Sequence, residues 1–131
     1  MKVLVDTCIW SLALRRDKNN NDPLVLKLIE LINDVRVQMI GPIRQEILSD
    51  VKSKEQFETL KAYLSPFPDL PLQKEDYELA AEYFNINRQK GIQGSNTDFL
   101  ICAVSSRYQL PIFTIDKDFT LFRKNIPVIL L

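Results

Sequence analysis

Histidine is absent from the 131-residue sequence, and that single absence narrows the chemistry sharply. Without imidazole there is no Ser-His-Asp or Cys-His nucleophile, no His-ligated zinc and no acid–base group with an ordinary pKa near neutrality. Cysteine is scarce: Cys8 and Cys102 are the only two, lie among apolar residues and lack the short spacing of a zinc or redox motif. Both read as reduced core residues, with Cys8 packing near a site at the end of the first strand. Long hydrophobic runs are missing as well, and no stretch approaches the roughly 20 apolar residues that span a bilayer. The opening residues MKVLVDTCIW carry Asp6 where a signal peptide would be apolar, and no small-residue cleavage site follows. The expectation is a cytoplasmic protein with no membrane association.

Charge of either sign is not in excess, since Lys+Arg and Asp+Glu both number 17. That balance argues against a protein that coats nucleic acid non-specifically. Neutralising four of the acids with bound cation would leave 13 acidic against 17 basic residues, a surplus of four that makes a negatively charged substrate plausible. With 46% hydrophobic and 26% charged residues, the length suits one globular domain over residues 1–131.

Two short apolar runs, 2–5 (KVLV) and 111–115 (PIFTI), read as buried strands, each ending at an aspartate, Asp6 and Asp116. Amphipathic helices are expected at about 23–34, 42–50, 53–64, 74–88 and 97–109. Their apolar stripes include Leu24, Leu28, Leu31 and Ile32 in one case and Tyr77, Ala80, Ala81 and Phe84 in another. Val35 to Ile40 reads as a strand, closed by Gly41 and by Pro42 in the first turn of the next helix, and Val128 to Leu131 as a final strand. The 17–22 run (DKNNND) and the 87–96 segment (NRQKGIQGSN) read as mobile loops, and 65–73 (SPFPDLPLQ) as a stiff connection with a short strand at its end. Strands alternating with helices imply an α/β fold, a three-layer α/β/α sandwich around a central parallel sheet.

Each acid has an ordinary structural use. Asp6 precedes TCIWSLAL as a helix N-cap would, Asp116 precedes a turn, Ser95 and Asp98 have capping-box spacing, and Glu46 lies on a helix whose core contacts are Ile43 and Ile47. Their placement suggests more. Ligands of open parallel sheets bind beyond the carboxyl ends of the strands, where Asp6 and Asp116 stand, and Glu46 and Asp98 fall in the first turns of helices starting on that edge. Four acids on one rim repel unless cations compensate them, and an oxygen-only set suits Mg²⁺ or Mn²⁺.

In chain order, VLVDT at 3–7, GPIRQEIL at 41–48, NTDFLICAVS at 96–105 and FTIDKDF at 113–119 resemble the PIN-domain nucleases, especially the small ribonuclease toxins of VapC type. The resemblance runs over essentially the whole chain. It implies that Asp6, Glu46, Asp98 and Asp116 bind Mg²⁺ or Mn²⁺ and carry endoribonuclease chemistry, with Thr114 as the hydroxyl residue accompanying the last acid. It also implies an RNA substrate, a homodimer and a cognate antitoxin. Cys8 departs from the small polar residue, Asn or Ser, common at its position. Asp118 follows Asp116 by two residues and could share its role; the spacing from Thr114 favours Asp116, leaving Asp118 to cap the short helix after it.

Arg15, Arg16, Arg44, Arg88 and Lys117 fall in segments expected near the acidic rim and are candidates for contacting RNA phosphates, although each is also an ordinary surface charge. Trp10 could stack on a base but is expected against the sheet. Two other classes stay open. A phosphoacceptor or phosphatase domain would use a strand-end aspartate with Mg²⁺, yet the first strand reads D-T-C where a D-x-D is expected, and no strand-end lysine fits a receiver. A catalytically inactive interaction module would dimerise without binding metal.

Overall fold

The computed structural model describes residues 1–14 and 21–131. Arg15, Arg16 and most of the 17–22 loop therefore lie outside the described residues. Three strands, β1 (Val3–Val5), β2 (Val37–Gln38) and β3 (Ile112–Phe113), form a parallel sheet in the order β2-β1-β3. Val3 pairs with Val37 and Leu4 with Gln38 on one side, while Leu4 pairs with Ile112 and Val5 with Phe113 on the other. Successive strand side chains point to opposite faces, and Val3, Leu4 and Val5 are all fully buried, so both faces of the sheet are covered.

The helices are α1 (Thr7–Ala13), α2 (Pro23–Asn33), α3 (Gly41–Leu48), α4 (Lys54–Leu64), α5 (Lys74–Gln89), α6 (Asn96–Tyr108) and α7 (Asp118–Phe122). The three-layer α/β/α arrangement expected from the alternation of strands and helices is the one observed. Helix α1 packs on α2 and α3, α3 on α4, and α5 most extensively on α6. Local signals set the starts: Asp22 accepts the Leu24 amide ahead of Pro23, and Ser53 accepts that of Gln56.

Strand pairing is shorter than the apolar runs. Val35 leaves α2 with φ 56°, its amide bonding Ile32 O while that of Arg36 bonds Leu31 O, so this turn consumes the first residues of the expected 35–40 strand. Beyond β2, Met39 makes a lone bridge with Asp69, the extended residue of the proline-rich connection. The final expected strand likewise contributes one bridge, Leu130 to Ile112.

Helix α5 departs from its expected stripe. Tyr77 and Ala81 are exposed, whereas Asp76, Ala80, Tyr83 and Asn87 are buried. A hydrophobic pattern misses this face because two of its members are polar with partners supplied by tertiary structure. Asp76 pairs with Arg107 of α6, and the Asn87 side chain donates to Tyr83 O and accepts from Asn125 Nδ2 at 3.2 Å. The 87–96 segment is not a free loop either. Gly94 lies so close to the buried Phe122 and Phe99 rings that a Cβ there would stand 2.6 Å and 2.9 Å from them. Trp10 is buried, as expected, edge-on to Phe67.

Candidate active site

Asp6 ends the central strand and caps α1, so its backbone is extended while its carboxylate turns toward the helix start. Oδ1 accepts the Thr7 amide at 2.8 Å, and Oδ2 accepts the Thr114 hydroxyl at 2.8 Å. The same Thr114 Oγ1 accepts the amide of Asp116 at 3.0 Å, so one hydroxyl ties together the two acid-bearing strand ends. Cys8 Sγ lies 3.4 Å from Thr114 Oγ1 and 3.6 Å from Asp6 Oδ2, which places it beside the acid as expected. Burial pushes the Cys8 thiol pKa up, keeping it a neutral donor.

Glu46 stands in the second turn of α3 rather than the first, because the helix begins at Gly41 and a turn takes only 3.6 residues. Ile43 and Ile47 face the core as expected, and Glu46 Oε1 accepts the Thr7 hydroxyl at 2.6 Å. Asp98 is the third residue of α6 and closes a reciprocal capping box. Its Oδ2 accepts the Ser95 amide and Ser95 Oγ accepts the Asp98 amide, both at 3.0 Å. The capping-box reading of Asp98 is the one observed.

These acids line one cleft of about 580 Å³: Asp6, Glu46, Asp98 and Asp116 all face it. Asp118 does not. The expected cap of α7 by Asp118 is also reversed, because Asp116 Oδ1 accepts the Asp118 amide at 2.9 Å and Asp118 is simply the first helical residue. Asp50, which the sequence reading missed, lines the cleft as a fifth acid. Its only signal was its position four residues after Glu46; α3 stops at Leu48 and Asp50 reaches the cleft through a left-handed φ of 61°.

Electrostatics ties the acids together. Burial, and then the charge of Asp98, holds the Asp6 carboxyl above the ordinary range. Burial, followed by the charges of Asp116 and Glu46, does the same to Asp98. The buried Cys102 thiol is driven far up by burial and by the charges of Asp98 and Asp6. Among the described residues lining the cleft there is no lysine or arginine to offset this negative charge.

The donor set is all oxygen, which fits a hard divalent cation. The acids surround the cleft instead of clustering: among the described residues, no three are drawn together tightly enough to grip one ion by themselves.

Of the expected cationic partners, the described ones, Arg44, Arg88 and Lys117, do not line the cleft. Arg44 points away, pairing with Asp69 at 2.9 Å and donating to the carbonyls of Leu64 and Phe67, so it staples the proline-rich connection. Arg88 lies over the Phe84 ring beside a separate cavity, and Lys117 is exposed next to Asp116 without entering the cleft.

The PIN domain family model matches residues 3–125. No curated protein sequence matches the chain. Among solved structures, FitAcB from Neisseria gonorrhoeae is similar with a TM-score of 0.78 at 20% identity, over 98% of this chain and 96% of that one. VapBC2 from Rickettsia felis, solved bound to a DNA fragment from its promoter, gives 0.78 at 20% identity over 100% and 98%. VapBC-5 from Mycobacterium tuberculosis, a member of the VapBC family of toxin-antitoxin systems, gives 0.67 at 19% identity over 99% and 98%.

Proposed function

Because the chain belongs to the PIN domain family, whose members are generally divalent-metal-dependent nucleases, we propose that it is a Mg²⁺- or Mn²⁺-dependent endoribonuclease acting as the toxin of a VapBC-type pair. The observation that carries this reading is the convergence of Asp6, Glu46, Asp98 and Asp116 on one cleft whose described lining has no basic side chain. A divalent cation bound there would supply an activated water and neutralise charge on the scissile phosphate and the departing 3′ oxygen.

The chain's own residues hold the geometry. Asp6, Glu46 and Asp98 are the principal candidate ligands, with Asp116 as a further ligand or water-positioning group. Thr114 orients Asp6, Thr7 orients Glu46 and the Ser95 capping box orients Asp98. Outer hydrogen bonds of this kind fix ligand carboxylates in metal sites. A phosphoacceptor role fits less well, since both oxygens of Asp6 are engaged and no lysine lines the described cleft. Similarity to VapBC and FitAcB structures supports a cognate antitoxin as partner, and the same reading includes a homodimer working in the cytoplasm. No described helix is long and apolar enough to cross a membrane.

The test is cleavage of RNA by the purified chain with Mg²⁺ or Mn²⁺. Activity should vanish with EDTA, return with added metal, and fall at least a hundredfold in Asp6→Asn and Asp98→Asn. Cleavage indifferent to chelation or to both substitutions would overturn the reading.

A further inference from the structure

A second cavity of about 420 Å³ adjoins the acidic cleft and shares Pro42, Gln45 and Thr97 with it. The shared walls flank two of the acids directly: Gln45 precedes Glu46 on α3, and Thr97 precedes Asp98 on α6. The far wall comes from α5, where Tyr77 is 54% exposed, and from Leu100 on α6. No charged side chain lines this cavity among the described residues, in sharp contrast to its neighbour.

Its polar groups are also unclaimed. Among the described residues, the Gln45 and Asn96 amides and the Thr97 hydroxyl make no side-chain hydrogen bond, whereas Asp6, Thr7, Glu46, Asp98 and Asp116 of the acidic cleft are engaged. Tyr77 lines the cavity beside Ala80 and Ala81 of the same helix and is 54% exposed. An aromatic ring at the mouth, an uncharged lining and free amide donors and acceptors match the requirements of an unstacked nucleobase. Single-stranded RNA is read by stacking on aromatic side chains and by hydrogen bonds to base edges. A phosphate would instead demand cations, which the described lining of this cavity lacks.

We propose that this cavity is a base-specificity subsite: the ribonucleotide next to the scissile phosphate places its base against Tyr77, with its edge read by Gln45, Asn96 and Thr97. The proposal rests on the ribonuclease reading and names its substrate as single-stranded RNA with a preferred base at that position. Continuity of the two cavities favours RNA over a protein occupant, because a strand crossing the acids must continue along one of the cleft walls.

Two measurements test it. In the first, side-chain amide and Tyr77 ring resonances are followed by NMR while adenosine, cytidine, guanosine and uridine 5′-monophosphates are titrated into the metal-free protein. Shifts confined to Tyr77, Gln45, Asn96 and Thr97, stronger for some bases than others, support the subsite whether or not the chain cleaves RNA. No shift there with any nucleotide overturns it.

The second measurement uses short single-stranded oligoribonucleotides differing in one base beside the cleavage point, or abasic there. Tyr77→Ala should raise KM about tenfold or more and flatten base preference, Tyr77→Phe should retain both, and Asn96→Ala should change the preference. The losses from Tyr77→Ala and from the abasic substrate should not add. Cleavage by Tyr77→Ala with wild-type KM and base preference overturns the subsite while leaving the nuclease reading intact. A Tyr77→Ala protein changed only in oligomeric state assigns the face to a second copy and also overturns it. Failure of wild type to cleave any RNA, alongside base-selective shifts in the first measurement, would instead separate the subsite from the catalytic reading.

Discussion

Thr114 and Asp6 are 108 residues apart in sequence and joined by a 2.8 Å hydrogen bond, the Thr114 hydroxyl donating to Asp6 Oδ2. Because that hydroxyl also accepts the Asp116 amide, it fixes the separation of two acids on neighbouring strands. Parallel pairing of β1 with β3 makes the link possible, since Val5 and Phe113 are in register one residue before each member.

Thr114→Val keeps the β-branched shape and removes both bonds. Cleavage should fall about 10- to 100-fold, the range seen when outer-shell partners of metal ligands are lost, and Thr114→Ser should recover most of it. Steady-state kinetics on a single RNA checks this; wild-type activity in Thr114→Val would remove the positioning role.

Asp6 and Asp98 have pKa values raised above the ordinary 3.8 by burial and by neighbouring acids. A carboxyl with a higher pKa folded than unfolded binds its proton more tightly in the native state. Its contribution to stability is therefore greatest below the unfolded pKa and declines as pH rises from about 3.8 through the raised folded values. Metal-free wild type should lose more thermal stability across that window than Asp98→Asn, and Mg²⁺ at neutral pH should raise the Tm of wild type more than that of the variant. Parallel melting curves for the two proteins, with and without Mg²⁺, would contradict the assignment.

The cap made by Asp98 and its proposed ligand role are separable. Ser95→Ala removes the N-cap acceptor and should cost about 1 kcal/mol of stability while keeping the carboxylate. Asp98→Asn preserves an acceptor for the Ser95 amide and should abolish cleavage without lowering the unfolding midpoint of the metal-free protein. Denaturant melts set beside cleavage rates decide the matter; equal catalytic losses in both variants would tie activity to the cap alone.

Arg44→Ala should destabilise the fold by about 1–3 kcal/mol, because it leaves the Phe67 carbonyl without its side-chain donor and the Leu64 carbonyl with the Phe67 amide alone. RNA affinity should keep its salt dependence, since Arg44 is already occupied by Asp69. A shallower dependence of affinity on salt would show that Arg44 reaches phosphate after all.

Val35 is a β-branched residue at φ 56° and 75% exposed, so its left-handed turn costs stability without any packing in return. Strain of this kind is worth roughly 1–2 kcal/mol in L-residues and is relieved in asparagine. Val35→Asn should raise stability by about 1 kcal/mol with cleavage unchanged, as thermal unfolding and an RNA assay would show.

Much of the site was legible one residue at a time. Asp6 and Asp116 follow short apolar runs, Pro42 marks the start of a helix, and Ser95 with Asp98 spells a capping box, all features carried by a few adjacent residues. The described cations were not legible. Arg44 lies two residues from Glu46, yet the helix turns it toward Asp69, and sequence proximity says nothing about that direction. The α5 face was misread for a related reason: Asp76 and Asn87 are buried because Arg107 and Asn125 meet them there.

The sequence by itself determined which side chains are available, carboxylates without imidazole, and the order in which the acids arrive at one edge of a parallel sheet. Strand alternation, capping and hydrophobic patterning are short-range and survive in the chain as patterns. Only the tertiary structure decided that Thr114 holds Asp6, that Asp116 and not Asp118 faces the cleft, that Asp50 joins its wall, and that Tyr77 stands open beside it. Those outcomes depend on strand register and helix rotation, which are set by packing among residues far apart in sequence.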